Sequence, residues 1–391
     1  MLPRRLLTAA APLLVGALAL TASACAKDEG EVGADGKKIV KIAYQGPLSG
    51  DNAALGVHME NGVKLAVKQA NERGDLPFSL TYVAADDAGS ADQSPAAAQK
   101  VIDDEKVLAT IGPAFSSPTK AAGQLYSQAN LLALTPSASS PSLTTLGFSS
   151  FLRGIPNDNA QGGGMASYYA KKLKAKKVFL VDDKTEYGIG LSAVADADLK
   201  AAGVEVVRQS VPQKTPDYTA VATAAKNSGA DALIYAGFYA DAAPFAKKLK
   251  EAGFDKPRIA SDGVNDRKFI ELAGAASEGW LVTCPCVDAE VEAGIKKFTA
   301  DYQAEFKTAP GTYSAESFDA TNLVIEQIKA LGPDATRDQV LAKVKQADYK
   351  GLTKRFRFDA KGEFPDRTAF LYEVTEGKIV YRGNIETLAA S

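Results

Sequence analysis

From residue 38 onward, short β-rich runs alternate with lysine- and alanine-rich amphipathic segments almost without interruption, and that alternation restricts the fold more than any single motif. KIVKIAY (38–44), FSLTYVAAD (78–86), KVLATIG, LLALT, KKVFLV, VEVV, DALIYAG, RIAS and WLVT read as strands. Between them lie helical patterns, such as the apolar stripe Met59, Val63, Ala66, Val67 and Ala70, and the stretch Ala242 to Ala252. Strand and helix in regular succession give an α/β fold, with parallel sheets covered by helices on both faces. So many strands would make one open sheet very wide, so two α/β units are expected. After residue 350 the pattern changes to RFRFD, AFLYEV and KIVYRG, a hairpin-like antiparallel finish.

The N-terminus reads as an address. Arg4-Arg5 precede a short apolar core, Leu6 to Leu20, too short for a spanning helix and typical of an export signal over residues 1–24. Leu20-Thr21-Ala22-Ser23-Ala24-Cys25 resembles a bacterial lipobox, which implies lipidation of Cys25; an ordinary cleavage site with a chance cysteine is the alternative. Residues 25–37, polar and glycine-rich, read as a flexible tether from lipid to fold. A formal net charge of −2 argues against nucleic acid as a partner. Of the three cysteines, Cys284 and Cys286 flank Pro285. They could close a tight disulfide in an oxidising compartment, remain thiols, or form half of a metal site, although no second cysteine pair completes one.

In α/β sheets, ligands collect where strands end and helices begin. Two consecutive loops of this kind are rich in hydroxyls. In IGPAFSSPT, Ser117 before Pro118 reads as a helix cap, leaving Ser116 just outside the helix. In LTPSASSPSL, Ser140 before Pro141 reads as the cap, leaving Ser137 and Ser139 outside. Hydroxyls beside free helix N–H groups favour an anion such as a carboxylate. Nucleophilic catalysis would require a base, and the chain has one histidine, His58, at the start of another helix. The serines therefore read as hydrogen-bond donors. Tyr187-Gly188-Ile189-Gly190 resembles a dinucleotide fingerprint, but Asp182 to Tyr187 intervene after the strand where a tight turn is needed, so no cofactor is expected. Tyr187, Phe238 and Asp262 each follow a strand of the second half. Together they offer a carboxylate and apolar walls opposite the anion site, a match for a zwitterion.

IAYQGPLSGDNAALG, IGPAFSSPT, LTPSASSPSL, LVDDKTEYGIGL, IYAGFYAD, ASDGV, EGWLVT and YSAESFDAT, in this order, resemble the type I periplasmic binding proteins of branched-chain amino acid ABC importers. The resemblance implies two Rossmann-like lobes joined by three hinge crossovers near residues 157, 284 and 353. They would be an N-terminal lobe of 38–157 plus 285–352, and a C-terminal lobe of 158–284 plus 353–391. It further implies carboxylate binding by Ser116, Ser137, Ala138 and Ser139, an aromatic wall at Tyr187, and an ammonium-binding acid at Asp262. Leu55 and Phe238 stand where relatives often carry tyrosines, and Asp262 where they carry glutamate. The expected protein is a monomeric, membrane-anchored lipoprotein without metal or cofactor, delivering a small amino acid to ABC permease subunits. The alternatives are a ligand-sensing ectodomain for amides or small aromatic acids, and an extracellular amidase.

Overall fold

The computed structural model describes residues 32–33, 35–287 and 293–391. The expected signal peptide, the lipidation site Cys25 and residues 25–31 of the tether lie outside the described residues.

Strands β1 (Ile39–Gly46), β2 (Ser79–Asp86), β3 (Val107–Ile111), β4 (Leu132–Thr135) and β5 (Phe151–Arg153) form a five-stranded sheet in the order β2-β1-β3-β4-β5. Every pairing in it is parallel. A second, seven-stranded sheet contains β6 (Lys177–Asp182), β7 (Glu205–Ser210), β8 (Ala232–Ala236), β9 (Arg258–Ala260), β10 (Trp280–Cys284), β13 (Phe370–Thr375) and β14 (Lys378–Asn384). Its order is β14-β13-β10-β9-β8-β6-β7. The two sheets, each with its helices, make two lobes. β3, β4 and β8 are buried at every residue, as strands covered on both faces must be, which is why they read as unbroken apolar runs. The edge strand β7 carries polar residues and alternates between exposed and half-buried positions.

The antiparallel finish divides in two. β13 and β14 pair with each other and extend the second sheet from β10. RFRFD does not join them: β12 (Arg355–Phe356) pairs instead with β11 (Tyr349–Lys350). The chain then stays on the first lobe. Arg153 donates its N–H to Gly362 O at 2.9 Å and its Nε to Glu363 at 2.8 Å.

Two helix starts differ from expectation. The helix after β3 spans Ser116–Gln128 with Phe115 in the capping position, so Ser116 is its first residue and Ser117 caps nothing. Ser140 does occupy a capping position, but of a five-residue 3-10 turn, Pro141–Thr145, and its side chain makes no capping bond. In both cases the hydroxyl that could satisfy the local N–H groups is drawn across to the other lobe.

Candidate ligand-binding cleft

Between the lobes lies a narrow void of about 310 Å³, a figure that includes the solvent at its mouth. From the first lobe Leu55, Met59, Ala114, Phe115, Ser116, Ser137 and Tyr313 line it; Tyr187, Phe238, Asp262 and Gly263 come from the second. Leu55 and Met59 belong to the helix Ala53–Glu72 and Tyr187 to the helix Glu186–Ala201; Phe238 precedes the helix Tyr239–Glu251. Asp262 follows β9 in a 3-10 turn. Six residues expected from the sequence are thus brought together: Leu55, Ser116, Ser137, Tyr187, Phe238 and Asp262.

Ala138 and Ser139 are not among the walls. The loop holding them is tied elsewhere: Ala138 N–H donates to Thr135 Oγ1 at 2.9 Å, and Ser139 O accepts Asp158 N–H at 2.9 Å. The buried Arg153 guanidinium takes the carbonyls of Ala138 and Ser140. Ser137 donates to Ala114 O at 2.6 Å. Ser116 Oγ accepts Ser140 N–H at 3.2 Å, which leaves its O–H able to donate into the void from the first turn of a helix.

At the other end Asp262 is 5% exposed. Its Oδ1 accepts from the Tyr187 phenol and from Gln161 Nε2 at 2.8 Å, its Oδ2 from the Tyr313 phenol at 2.5 Å. Gln161 Oε1 returns the contact, accepting Asp262 N–H at 2.9 Å and the Thr283 hydroxyl at 2.7 Å. Burial raises the Asp262 pKa, and these donors pull it back. No ion pair to Asp262 exists among the described residues, and the titratable group beside it is another acid. Asp158, fully buried, is pushed up to about 8, first by burial and then by the Asp262 charge. A carboxylate accepts up to about four hydrogen bonds. Three are filled by neutral donors, which leaves one acceptor position on a carboxylate that lines the void.

Tyr313, Met59, Phe115 and Gln161 escaped the sequence reading. Tyr313 sits at φ +64°, a left-handed conformation rare for a bulky residue, and so turns its phenol toward the opposite lobe. That strain has no signature in the sequence. The near-fingerprint glycines have a different purpose. A methyl at Gly188 would stand 2.3 Å from Asp183 Oδ1, and one at Gly190 would stand 2.9 Å from Ser140 Oγ across the lobe interface. They make room for a carboxylate and for the other lobe.

Cys284 and Cys286 are joined by a disulfide, Cα atoms 5.1 Å apart. His58, remote from them in sequence, shares a neighbouring cleft with Cys286 and Asp266; its Nδ1 lies 3.2 Å from Tyr302 OH. No group of residues suited to a metal occurs among the described residues.

Comparison with known proteins identifies the family and the fold. The periplasmic binding protein family matches residues 39–378. A leucine-, isoleucine-, valine-, threonine- and alanine-binding protein of Pseudomonas aeruginosa is 28% identical over 85% of this chain and 89% of its own. A leucine-binding protein from Thermotoga maritima superimposes with a TM-score of 0.81 at 25% identity, covering 88% of this chain and 98% of its own. A branched-chain amino acid transporter substrate-binding protein from Streptococcus pneumoniae, solved with isoleucine, gives 0.80 at 26% identity, covering 88% and 100%. With two lobes around an apolar cleft and a family match over most of its length, the chain belongs to the periplasmic binding proteins.

Proposed function

We propose that this protein is the substrate-binding component of an ABC importer, taking a branched-chain or related α-amino acid into the interlobe cleft. One observation carries the reading: Asp262 is a buried carboxylate with no cationic partner among the described residues, and it lines one void with Ser116, the first residue of a helix. An α-amino acid supplies the missing ammonium to Asp262 and a carboxylate to Ser116. Hydrogen bonds to charged groups contribute about 1.5–3 kcal/mol each. The ligand touches both lobes only when they are together, so binding shifts the population toward the closed form. The closed form is what the permease subunits receive.

We place the first two crossings at 157 and 284, as the resemblance implies, and the third beyond Phe364 instead of at 353, because Phe356, Gly362 and Glu363 still pack against Arg153 and Gly154. Lipidation at Cys25 would hold the monomer at the outer face of the membrane, where tethering raises its effective concentration at the permease. The amidase alternative draws no support from the site. Ser116 Oγ meets Ser140 N–H, and His58 stands against Tyr302 and Asp266.

Calorimetric titration with leucine, isoleucine, valine, alanine and benzoate tests the reading. At least one α-amino acid should bind with micromolar or better affinity, whereas benzoate, which has no ammonium, should not. Benzoate binding in preference to every amino acid would replace this proposal with an aromatic-acid carrier.

A further inference from the structure

Gln161 stands between two buried acids. Its Nε2 donates to Asp262 Oδ1 at 2.8 Å and to Asp158 Oδ1 at 3.2 Å. The amide cannot turn round, because its Oε1 accepts Asp262 N–H and the Thr283 hydroxyl. One NH2 group thus spends both hydrogens on two carboxyl groups that are themselves buried. Like charges held this close in a desolvated place resist ionising together, so the two acids titrate as a pair.

Little around the pair relieves it. Asp262 is restrained by neutral donors alone. The cation that acts on Asp158 is Arg153, and its guanidinium is already committed. Arg153 Nε donates to Glu363 at 2.8 Å, and its other nitrogens donate to the carbonyls of Ala138 and Ser140. The Tyr187 phenol faces both acids and stays neutral, its pKa raised first by burial and then by their charges. Asp158 Oδ2 is buried without a hydrogen-bond partner among the described residues, as is Ser139 Oγ. An ionised oxygen in that position would lose its hydration without compensation. Burial first, then the Asp262 charge, push Asp158 up to about 8, against the opposing pull of Ser139, Arg153 and Gln161. At neutral pH the empty cleft therefore holds a proton on Asp158 and a negative charge on Asp262.

We propose that this pair makes ligand capture proton-linked: when the ligand's ammonium reaches Asp262, Asp158 gives up its proton to the solvent. This rests on the zwitterion reading above and adds to it a regulation of the same site. The ammonium cancels the charge that Asp158 feels from across Gln161, so the second acid ionises more readily. One Asp158 O–H bond breaks, the proton goes to the buffer, and the ammonium keeps its three hydrogens. The liganded protein then holds fewer protons than the empty one, so affinity rises with pH over the range in which Asp158 ionises.

The test is calorimetric titration with leucine, and with valine in parallel, at about pH 7.5 in phosphate and in Tris, whose different heats of ionisation count the protons released. At that pH His58 does not contribute, because burial lowers its pKa from the ordinary 6.5. The native protein should release about half a proton per amino acid bound, and its affinity should rise about threefold per pH unit. In Asp158→Asn the release should fall to near zero and the affinity should be flat over the same range. Gln161→Met keeps both acids but removes their shared donor, so its release should peak at higher pH than in the native protein. Native release below about 0.1 proton, release undiminished in Asp158→Asn, or an unmoved peak in Gln161→Met overturns the linkage and leaves the zwitterion reading standing. Failure of the native protein to bind any α-amino acid overturns the reading beneath it.

Discussion

Glu186 donates its backbone N–H to Ser117 Oγ at 3.0 Å, from the second lobe to the first. Its carboxylate then accepts from the Ser142 hydroxyl at 2.6 Å, the Ser140 hydroxyl at 3.3 Å and Lys120 Nζ at 2.8 Å. The serines that sequence assigns to helix capping are engaged here instead. A glutamate at the start of one helix has been given the hydroxyls of two loops opposite.

Because these bonds exist only when the lobes are together, Glu186→Gln should weaken ligand binding without touching the ligand. Lys120 is half exposed, so its ion pair adds little, and the hydroxyl donors carry most of the effect. A loss of about 1 kcal/mol is expected, chiefly as faster dissociation. Stopped-flow release kinetics check this; an unaltered off-rate would remove Glu186 from closure. Burial raises the Glu186 pKa, but Lys120 and Ser142 outweigh it and hold the carboxyl below its usual value. The clasp should therefore persist at mildly acid pH and fail only as pH falls through that lowered value.

Asp262→Ala should cost about 2–5 kcal/mol of ligand affinity, since it leaves the ligand's ammonium buried without a partner. Asp262→Asn separates charge from hydrogen bonding, because its amide oxygen can still accept from Tyr187 or Tyr313. Titration calorimetry should find Asn nearly as damaging as Ala; full affinity in Asp262→Asn would refute a cationic ligand group.

Tyr313→Phe keeps the ring and removes one donor to Asp262. The Asp262 pKa, raised by burial and restrained by Tyr187, Tyr313 and Gln161, should rise further. An ammonium ligand needs the ionised acid, so affinity is present above that pKa and lost as pH falls through it. The acid limb of a binding-versus-pH profile should accordingly move toward neutral pH in the variant. A limb that stays in place would mean that Tyr313 does not govern this carboxylate.

Legibility in the sequence followed the range of the interactions. β1, β3, β4, β6 and β8 to β10 are legible as contiguous runs whose apolar content follows from burial inside a sheet, and the edge strands β2 and β7 from their β-branched and aromatic residues. β5, three residues long between Gly147 and Gly154, has too little length to show a period. Ser116, Tyr187, Phe238 and Asp262 could be found because they follow strands, where any ligand of such a fold must lie. Tyr313 and Gln161 could not. They reach Asp262 from sequence separations of 51 and 101 residues, and nothing local marks them. The N-terminal cap of the Ser116–Gln128 helix was misplaced for a similar reason: Ser117 has a better partner in Glu186 than in its own helix.

Asp158→Asn should change how stability depends on pH. Asp158 has its folded pKa pushed up to about 8, so the folded state retains a proton that the unfolded chain releases near its ordinary value of 3.8. Its contribution is complete below that ordinary value and is lost as pH rises toward about 8. Asparagine does not titrate, so the variant should gain on the native protein steadily between pH 5 and pH 8, by several kcal/mol in order of magnitude. Thermal unfolding at stepped pH checks the trend, and parallel curves for the two proteins would contradict it.

The Glu186 clasp has a consequence for traffic at the membrane. Its four partners belong to the protein itself, so an unladen carrier can shut on nothing. Shut and empty, it would present the permease with the outline of a loaded molecule and occupy it to no purpose. How tightly Glu186 grips Ser117, Lys120, Ser140 and Ser142 thus sets a balance between holding cargo and sending false deliveries.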